Sequence, residues 1–120
     1  MARPRFVVVA TDDGVKVKLG HFGDAKQYIF YEVTEQGIRE VKRLENPFKG
    51  EEEEHMHGVL RKRLKLLELF GSIDAVVSTF FGPGGEDFFK ERGIDVIKVK
   101  PWTTIEDALK QVQEMYFGKA

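Results

Sequence analysis

The chain has 120 residues, 42% hydrophobic and 32% charged, with 19 Lys plus Arg against 20 Asp plus Glu, three histidines and no cysteine. That length fits one domain around one core, and the apolar share is too high for a disordered chain. Balanced charge removes the basic field of a nucleic-acid or anionic-lipid binder, and the missing thiols remove disulfides, a Cys nucleophile and Cys-ligated zinc or iron–sulfur centres.

Arg5 to Thr11 is an apolar, β-branched run ended by Asp12-Asp13-Gly14, which predicts a central strand buried on both faces. A loop with Gly14, Gly20 and Gly23 follows, and then β-rich Gln27 to Val33. The short Thr34–Gly37 link makes Gly37 to Leu44 the second arm of a hairpin, stopped by Asn46-Pro47. Glu51 to Glu54 reads as a solvated charge run, placed where acids also suit a helix N-terminus.

Met56, Val59, Leu60, Leu64, Leu67 and Phe70 form a helical stripe closed at Gly71. Asp74 to Phe81 is the next strand, followed by Gly82-Pro83-Gly84-Gly85 and a short helix to Arg92 capped by Gly93. Ile94 to Lys100 is the last strand, and Thr103-Thr104-Ile105-Glu106 forms a capping box opening a final helix with the stripe Ile105, Ala108, Leu109, Val112 and Tyr116. The β-α-β-α-β run implies parallel strands joined by right-handed crossovers. The expectation is an α/β fold: one domain over 1–120, three layers α/β/α, with a mixed five-stranded sheet in order 3-2-1-4-5 and strand 2 antiparallel.

The longest uncharged stretch, Ala75 to Gly85, is about half a membrane span. The apolar run after Arg3 and Arg5 reaches Asp12 and Asp13 too soon for a cleavable signal. A cytoplasmic protein without membrane contact is expected. Asn46 is the only asparagine, and with many ionic residues this points to a thermophilic source.

In an open α/β sheet, ligands settle beyond the carboxyl ends of the parallel strands, at the switch point of strand order. The loops leaving the first strand and the strand ending at Phe81 meet there, and both are glycine-rich. Gly82-Pro83-Gly84-Gly85 can turn backbone N–H groups toward an anion, or simply make a tight turn into a helix; Glu86 and Asp87 already answer the helix dipole. His21 lies between glycines in Gly20-His21-Phe22-Gly23, as a ligand or a solvated side chain. His55-Met56-His57 chelates only from extended chain, because on a helix the two imidazoles diverge by about 200°; all three histidines are accordingly placed in loops. Arg63 sits within the apolar stripe, either snorkelling or facing an anion, and Arg61, Lys62 and Lys65 are expected on the solvent face.

Val7-Val8-Val9-Ala10-Thr11-Asp12-Asp13-Gly14, His21-Phe22-Gly23-Asp24-Ala25 and Tyr28-Ile29-Phe30-Tyr31-Glu32 open a resemblance. It continues through Asn46-Pro47, His55-Met56-His57, Asp74-Ala75-Val76-Val77, Gly82-Pro83-Gly84-Gly85, Gly93-Ile94-Asp95-Val96 and Thr104-Ile105-Glu106-Asp107-Ala108-Leu109. Over nearly its whole length the chain resembles the dinitrogenase iron-molybdenum cofactor biosynthesis family, the nitrogenase accessory factors and their relatives. The resemblance implies a ribonuclease H-like motif and a non-catalytic carrier of a metal–sulfur cluster or precursor containing iron, molybdenum or both, with donor and acceptor proteins as partners. It assigns His21, His55 and His57 as metal ligands and Gly23, Gly82, Gly84 and Gly85 as cofactor-binding. This chain departs from some relatives in lacking a cysteine near the second histidine region and in carrying Asp24 where a basic residue is common.

Two other classes stay open. A ribonuclease H-like, metal-dependent nuclease would use Asp12 at the end of the first strand, with Asp13 and Asp24 near it. A regulatory domain would bind a protein partner through exposed aromatics such as Phe80, Phe81 and Trp102. The oligomeric state is left open by the sequence.

Overall fold

The computed structural model describes residues 3–48 and 56–118, with only the backbone of residues 56–59. Eight main elements follow in order: β1 (Arg5–Thr11), β2 (Gln27–Val33), β3 (Ile38–Glu45), α1 (Met56–Phe70), β4 (Ala75–Ser78), α2 (Gly85–Lys90), β5 (Asp95–Lys98) and α3 (Ile105–Phe117). The strands form one mixed sheet in order β3-β2-β1-β4-β5. β2 runs antiparallel to both β1 and β3, while β4 runs parallel to β1 and β5 parallel to β4.

Successive side chains on a strand point to opposite faces, and β1 uses both. Val7 and Val9 enter a core with Ile29, Val77 and the α3 stripe of Ile105, Ala108, Leu109 and Val112. Val8 and Ala10 enter the opposite core with Tyr28, Phe30, Val76, Leu66, Phe70, Phe88 and Phe89. α3 therefore covers one face, and α1 with α2 the other. β3 is an edge strand, exposed except for half-buried Leu44, and its charged residues discourage pairing with another chain.

Three local expectations are corrected. The capping residue of α3 is Thr104, not Thr103: the Thr104 hydroxyl accepts from Asp107 N at 3.1 Å, so the capping motif lies one residue later. The buried stripe of α1 runs through Lys62, Leu66 and Phe70, leaving Leu60 and Leu64 exposed. The side-chain row at i, i+4, i+8 through Lys62 faces the core because Leu66 and Phe70 anchor it, and this turns Leu60 and Leu64 outward while Leu67 and Phe70 of the expected row stay on the core. Phe81 is buried, stacked on Phe22 at a 5.3 Å centroid separation, whereas Phe80 and Trp102 are exposed as expected.

Trp102 also occupies the left-handed region at φ 73°, which costs a side-chain-bearing residue roughly 1–2 kcal/mol. The Lys16 ammonium lies 5.6 Å from the centre of its ring. No helix of the described residues is long and apolar enough to cross a membrane.

Candidate functional site

The loop after β1 is stitched to the exit of β4, and this fixes where His21 lies. Phe80 N donates to Gly20 O at 3.3 Å and Phe22 N donates to Phe80 O at 2.8 Å. Gly20 N donates to the Thr79 hydroxyl at 2.9 Å, which donates on to Lys18 O at 2.8 Å. Satisfying these buried backbone groups pins the segment at the carboxyl end of the parallel strands.

Phe22–Asp24 then forms one 3-10 turn. The Phe22 ring is the anchor: it contacts Tyr28 at 5.0 Å, Phe81 at 5.3 Å and Phe89 at 5.5 Å, in the aromatic core under α1 and α2. Burying Phe22 leaves the preceding imidazole outside, with the His21 side chain 55% exposed. Tyr28 OH donates to Phe22 O at 2.8 Å. Burial pushes the Tyr28 hydroxyl far above its ordinary range, so it remains a neutral donor.

Asn46 clasps the same turn. Its buried amide nitrogen donates to Gly23 O at 2.9 Å and Ala25 O at 2.8 Å, while its oxygen accepts from Phe48 N at 2.9 Å. The sequence alone suggests no structural role for Asn46 beyond stopping a strand. Its standing as the sole asparagine next to a proline was the available signal.

The glycine turn closes the site from the other side. Gly82 and Gly84 have φ of 71° and 76°, conformations that glycine adopts without steric cost. A Cβ at Gly82 would lie 3.5 Å from His21 Nδ1, and one at Gly84 or Gly85 would lie 3.4 Å from the Arg63 guanidinium. Arg63 Nη2 donates to Pro83 O at 2.8 Å. The guanidinium thus lies over the glycine turn and bonds a backbone carbonyl, an arrangement that neither reading of Arg63 specified.

Lys62 is the second cation brought here, and it corrects the solvent-face expectation. It is 7% exposed, and its ammonium is 3.5 Å from Asp24 Oδ1. The other oxygen of Asp24 is 3.8 Å from His21 Nδ1. Gly23 lies beneath the end of Lys62, with the ammonium 3.9 Å from the position of an added Cβ. The structure therefore gathers His21, Gly23, Gly82, Gly84 and Gly85, and adds Asp24, Lys62 and Arg63.

The second histidine region is less defined. His57 lies in the first turn of α1 rather than in the loop expected from its spacing; the capacity of Met56 and its neighbours to continue the helical hydrogen-bond pattern wins over the extended alternative. His55 and the Glu51 to Glu54 run lie outside the described residues. Among the described residues no group of three or more His, Asp or Glu could hold a metal ion unaided.

The carboxylates proposed for nuclease chemistry are occupied otherwise. Asp12 accepts from Lys18 Nζ at 2.8 Å and from Lys26 N at 2.9 Å. Asp13 accepts from Val15 N and Lys16 N at 2.8 and 2.9 Å, closing its own loop. Glu86, in the first turn of α2, binds Lys90 and Lys98 at 2.7 and 2.8 Å, which lowers its carboxyl to about 2.

The family described as dinitrogenase iron-molybdenum cofactor matches over residues 4–115. An uncharacterised protein of Methanocaldococcus jannaschii is 29% identical over 90 residues, covering 75% of this chain and 71% of the relative. A crystal structure from Methanocaldococcus jannaschii, described as a candidate dinitrogenase, superposes with a TM-score of 0.61 at 13% identity, covering 98% of this chain and 92% of that one. An NMR structure of a candidate NifB protein from Thermotoga gives 0.58 at 16% identity, over 92% and 88% of the two chains. At such identities the structural likeness speaks for the fold.

Proposed function

The chain belongs to the dinitrogenase iron-molybdenum cofactor family, and from that premise we propose that it binds an anionic metal–sulfur cluster or precursor and hands it on during iron-molybdenum cofactor biosynthesis. The cluster is cargo, passed between donor and acceptor proteins, and the chain acts as a single-domain cytoplasmic carrier built on a ribonuclease H-like motif. His21 offers the imidazole ligand, with His55 and His57 as further candidates. Gly23, Gly82 and Gly84 are the glycines whose backbone would face the cluster's sulfides, while buried Gly85, whose N–H is given to Gly82 O at 3.2 Å, would act by holding the turn.

The observation that carries this reading is that one glycine turn bears the His21 ring on Gly82 and the Arg63 guanidinium on Gly84 and Gly85. A neutral ligand and a fixed cation on one glycine turn suit a dianionic or more highly charged cluster better than a bare cation, because the cation lowers the energy of negative charge there. Without a thiolate, binding rests on imidazole and hydrogen bonds, and such a cargo leaves readily. Neutral imidazole is the binding form, because a metal takes the lone pair that a second proton would occupy.

The test is anaerobic reconstitution with iron, sulfide and molybdate, followed by desalting and metal analysis. Wild type is expected to retain both metals, and a His21→Ala/His55→Ala/His57→Ala variant to lose them. Equal, low metal in both proteins overturns the proposal.

A further inference from the structure

The 3-10 turn places three side chains in a line from the buried face of α1 to solvent. Lys62 Nζ stands 3.5 Å from Asp24 Oδ1, and Asp24 Oδ2 stands 3.8 Å from His21 Nδ1. The His21 ring lies with Nδ1, Cγ and Cε1 nearest to the Gly82 position, at 3.5, 3.6 and 3.8 Å from an added Cβ. Its Nδ1 edge is thus turned toward Asp24 and the glycine turn, and Nε2 is the nitrogen left for a ligand.

We propose that Asp24, held by Lys62, is a positioning residue that keeps the proton of His21 on Nδ1 and so presents a bare Nε2 to an incoming metal. This rests on the reading of His21 as a ligand. A metal-binding imidazole needs its second nitrogen protonated and oriented, and a carboxylate is the usual partner for that N–H. At 3.8 Å the contact is an electrostatic alignment of carboxylate and ring edge, longer than a hydrogen bond. Lys62 contributes by restraining the carboxylate: Asp24 is 60% exposed on its side chain and would otherwise sample many rotamers in water. The buried stem of Lys62, whose end lies over Gly23, gives that restraint a fixed origin. Asp24 thereby selects which nitrogen of His21 binds.

Tautomer state is measured on the metal-free protein, so the outcome is independent of whether any cluster binds. Long-range 1H–15N correlation spectra at pH 8 distinguish Nδ1–H from Nε2–H imidazole, with the His21 signals identified by their loss in His21→Gln. Wild type is expected to hold His21 mainly as the Nδ1–H form. Asp24→Ala is expected to move it mainly to Nε2–H, and Lys62→Met to give an intermediate ratio, while the signals of His55 and His57 stay unchanged. Backbone amide spectra of each variant establish that the fold is kept. A wild-type His21 that is mainly Nε2–H, or a ratio unchanged by Asp24→Ala, overturns the proposal. Failure of cluster reconstitution with the expected tautomer ratios overturns the carrier reading and leaves the alignment standing.

Discussion

Arg63 donates from Nη2 to the carbonyl oxygen of Pro83 at 2.8 Å, joining the middle of α1 to the glycine turn before α2. Two elements whose sequence patterns say nothing about each other meet through this bond. It also sets a positive charge on the same glycine turn that carries the His21 ring.

Replacing Arg63 separates the two consequences. Arg63→Met is expected to lower stability by about 1 kcal/mol through the lost charged-donor bond, read as a shift in the urea midpoint. It is also expected to lower the iron and molybdenum retained on reconstitution more than Arg63→Lys does, because lysine keeps the charge but not the planar fork. Wild-type metal content in Arg63→Met would show that the cation has no part in binding.

Gly82 is constrained by conformation and by proximity. With φ at 71° and the His21 ring 3.5 Å from an added Cβ, Gly82→Ala is expected to cost roughly 1–2 kcal/mol and to displace the imidazole. Gly37, which has nothing within 4 Å of the same position, is the control: Gly37→Ala should stay within about 0.5 kcal/mol of wild type. Denaturation curves and the His21 ring shifts measure both effects.

Asn46 supports the histidine turn from beneath. Asn46→Ala leaves the Gly23 and Ala25 carbonyls without their donor, and a loss of about 2–3 kcal/mol is expected. Asn46→Asp should be more damaging, since it turns an acceptor toward two carbonyl oxygens. Equal stability of Asn46→Asp and wild type near pH 7 would refute this account of the turn.

Acid should loosen the ends of β1. Burial opposes the charged form of Asp74, but the bonds from Arg3 and from Phe6 N, the latter at 2.8 Å, outweigh it and leave the carboxyl below its ordinary value. Burial is likewise outweighed at Asp12, by Lys18 and by Lys26 N. Both folded-state values lie below the unfolded ones, so their stabilisation is complete above the unfolded carboxylate pKa of about 3.9 and is lost as pH falls through the folded values. Urea midpoints measured from pH 6 down to 2 should therefore decline, and the decline should be shallower in Asp74→Asn and Asp12→Asn. Parallel curves for wild type and both variants would contradict the linkage.

Much of the sheet was legible before any coordinates. β1 announces itself by an apolar run with no polar face, and the hairpin of β2 and β3 by the short Thr34–Gly37 link. The position of the site followed from strand order, and His21 and Gly82 do meet there. The α1 stripe was misread because Leu60 and Leu64 fit the same helical period as Leu66 and Phe70 once Lys62 is excluded as too polar to bury. Lysine enters the buried face here because its stem packs while its ammonium reaches Asp24, a partner 38 residues away in sequence. Phe81 was misjudged for a related reason: beyond the end of β4 the two-residue alternation no longer decides which side is buried, and the Phe22 ring does.

Local chemistry, written in periodicity, β-branching and glycine placement, thus determined the elements, their order and the end of the sheet at which the two glycine-rich loops leave it, because these depend on interactions between near neighbours along the chain. Only the tertiary structure decided which polar groups converge on that end. Arg63 on Pro83, Lys62 on Asp24 and Asn46 on Gly23 and Ala25 join residues 20 to 38 positions apart. Such pairings are set by how helix, turn and strand pack together, which no single stretch of sequence records. The absence of cysteine, first an exclusion, means that the carrier proposed above would have to hold its cargo by imidazole, backbone and fixed cations.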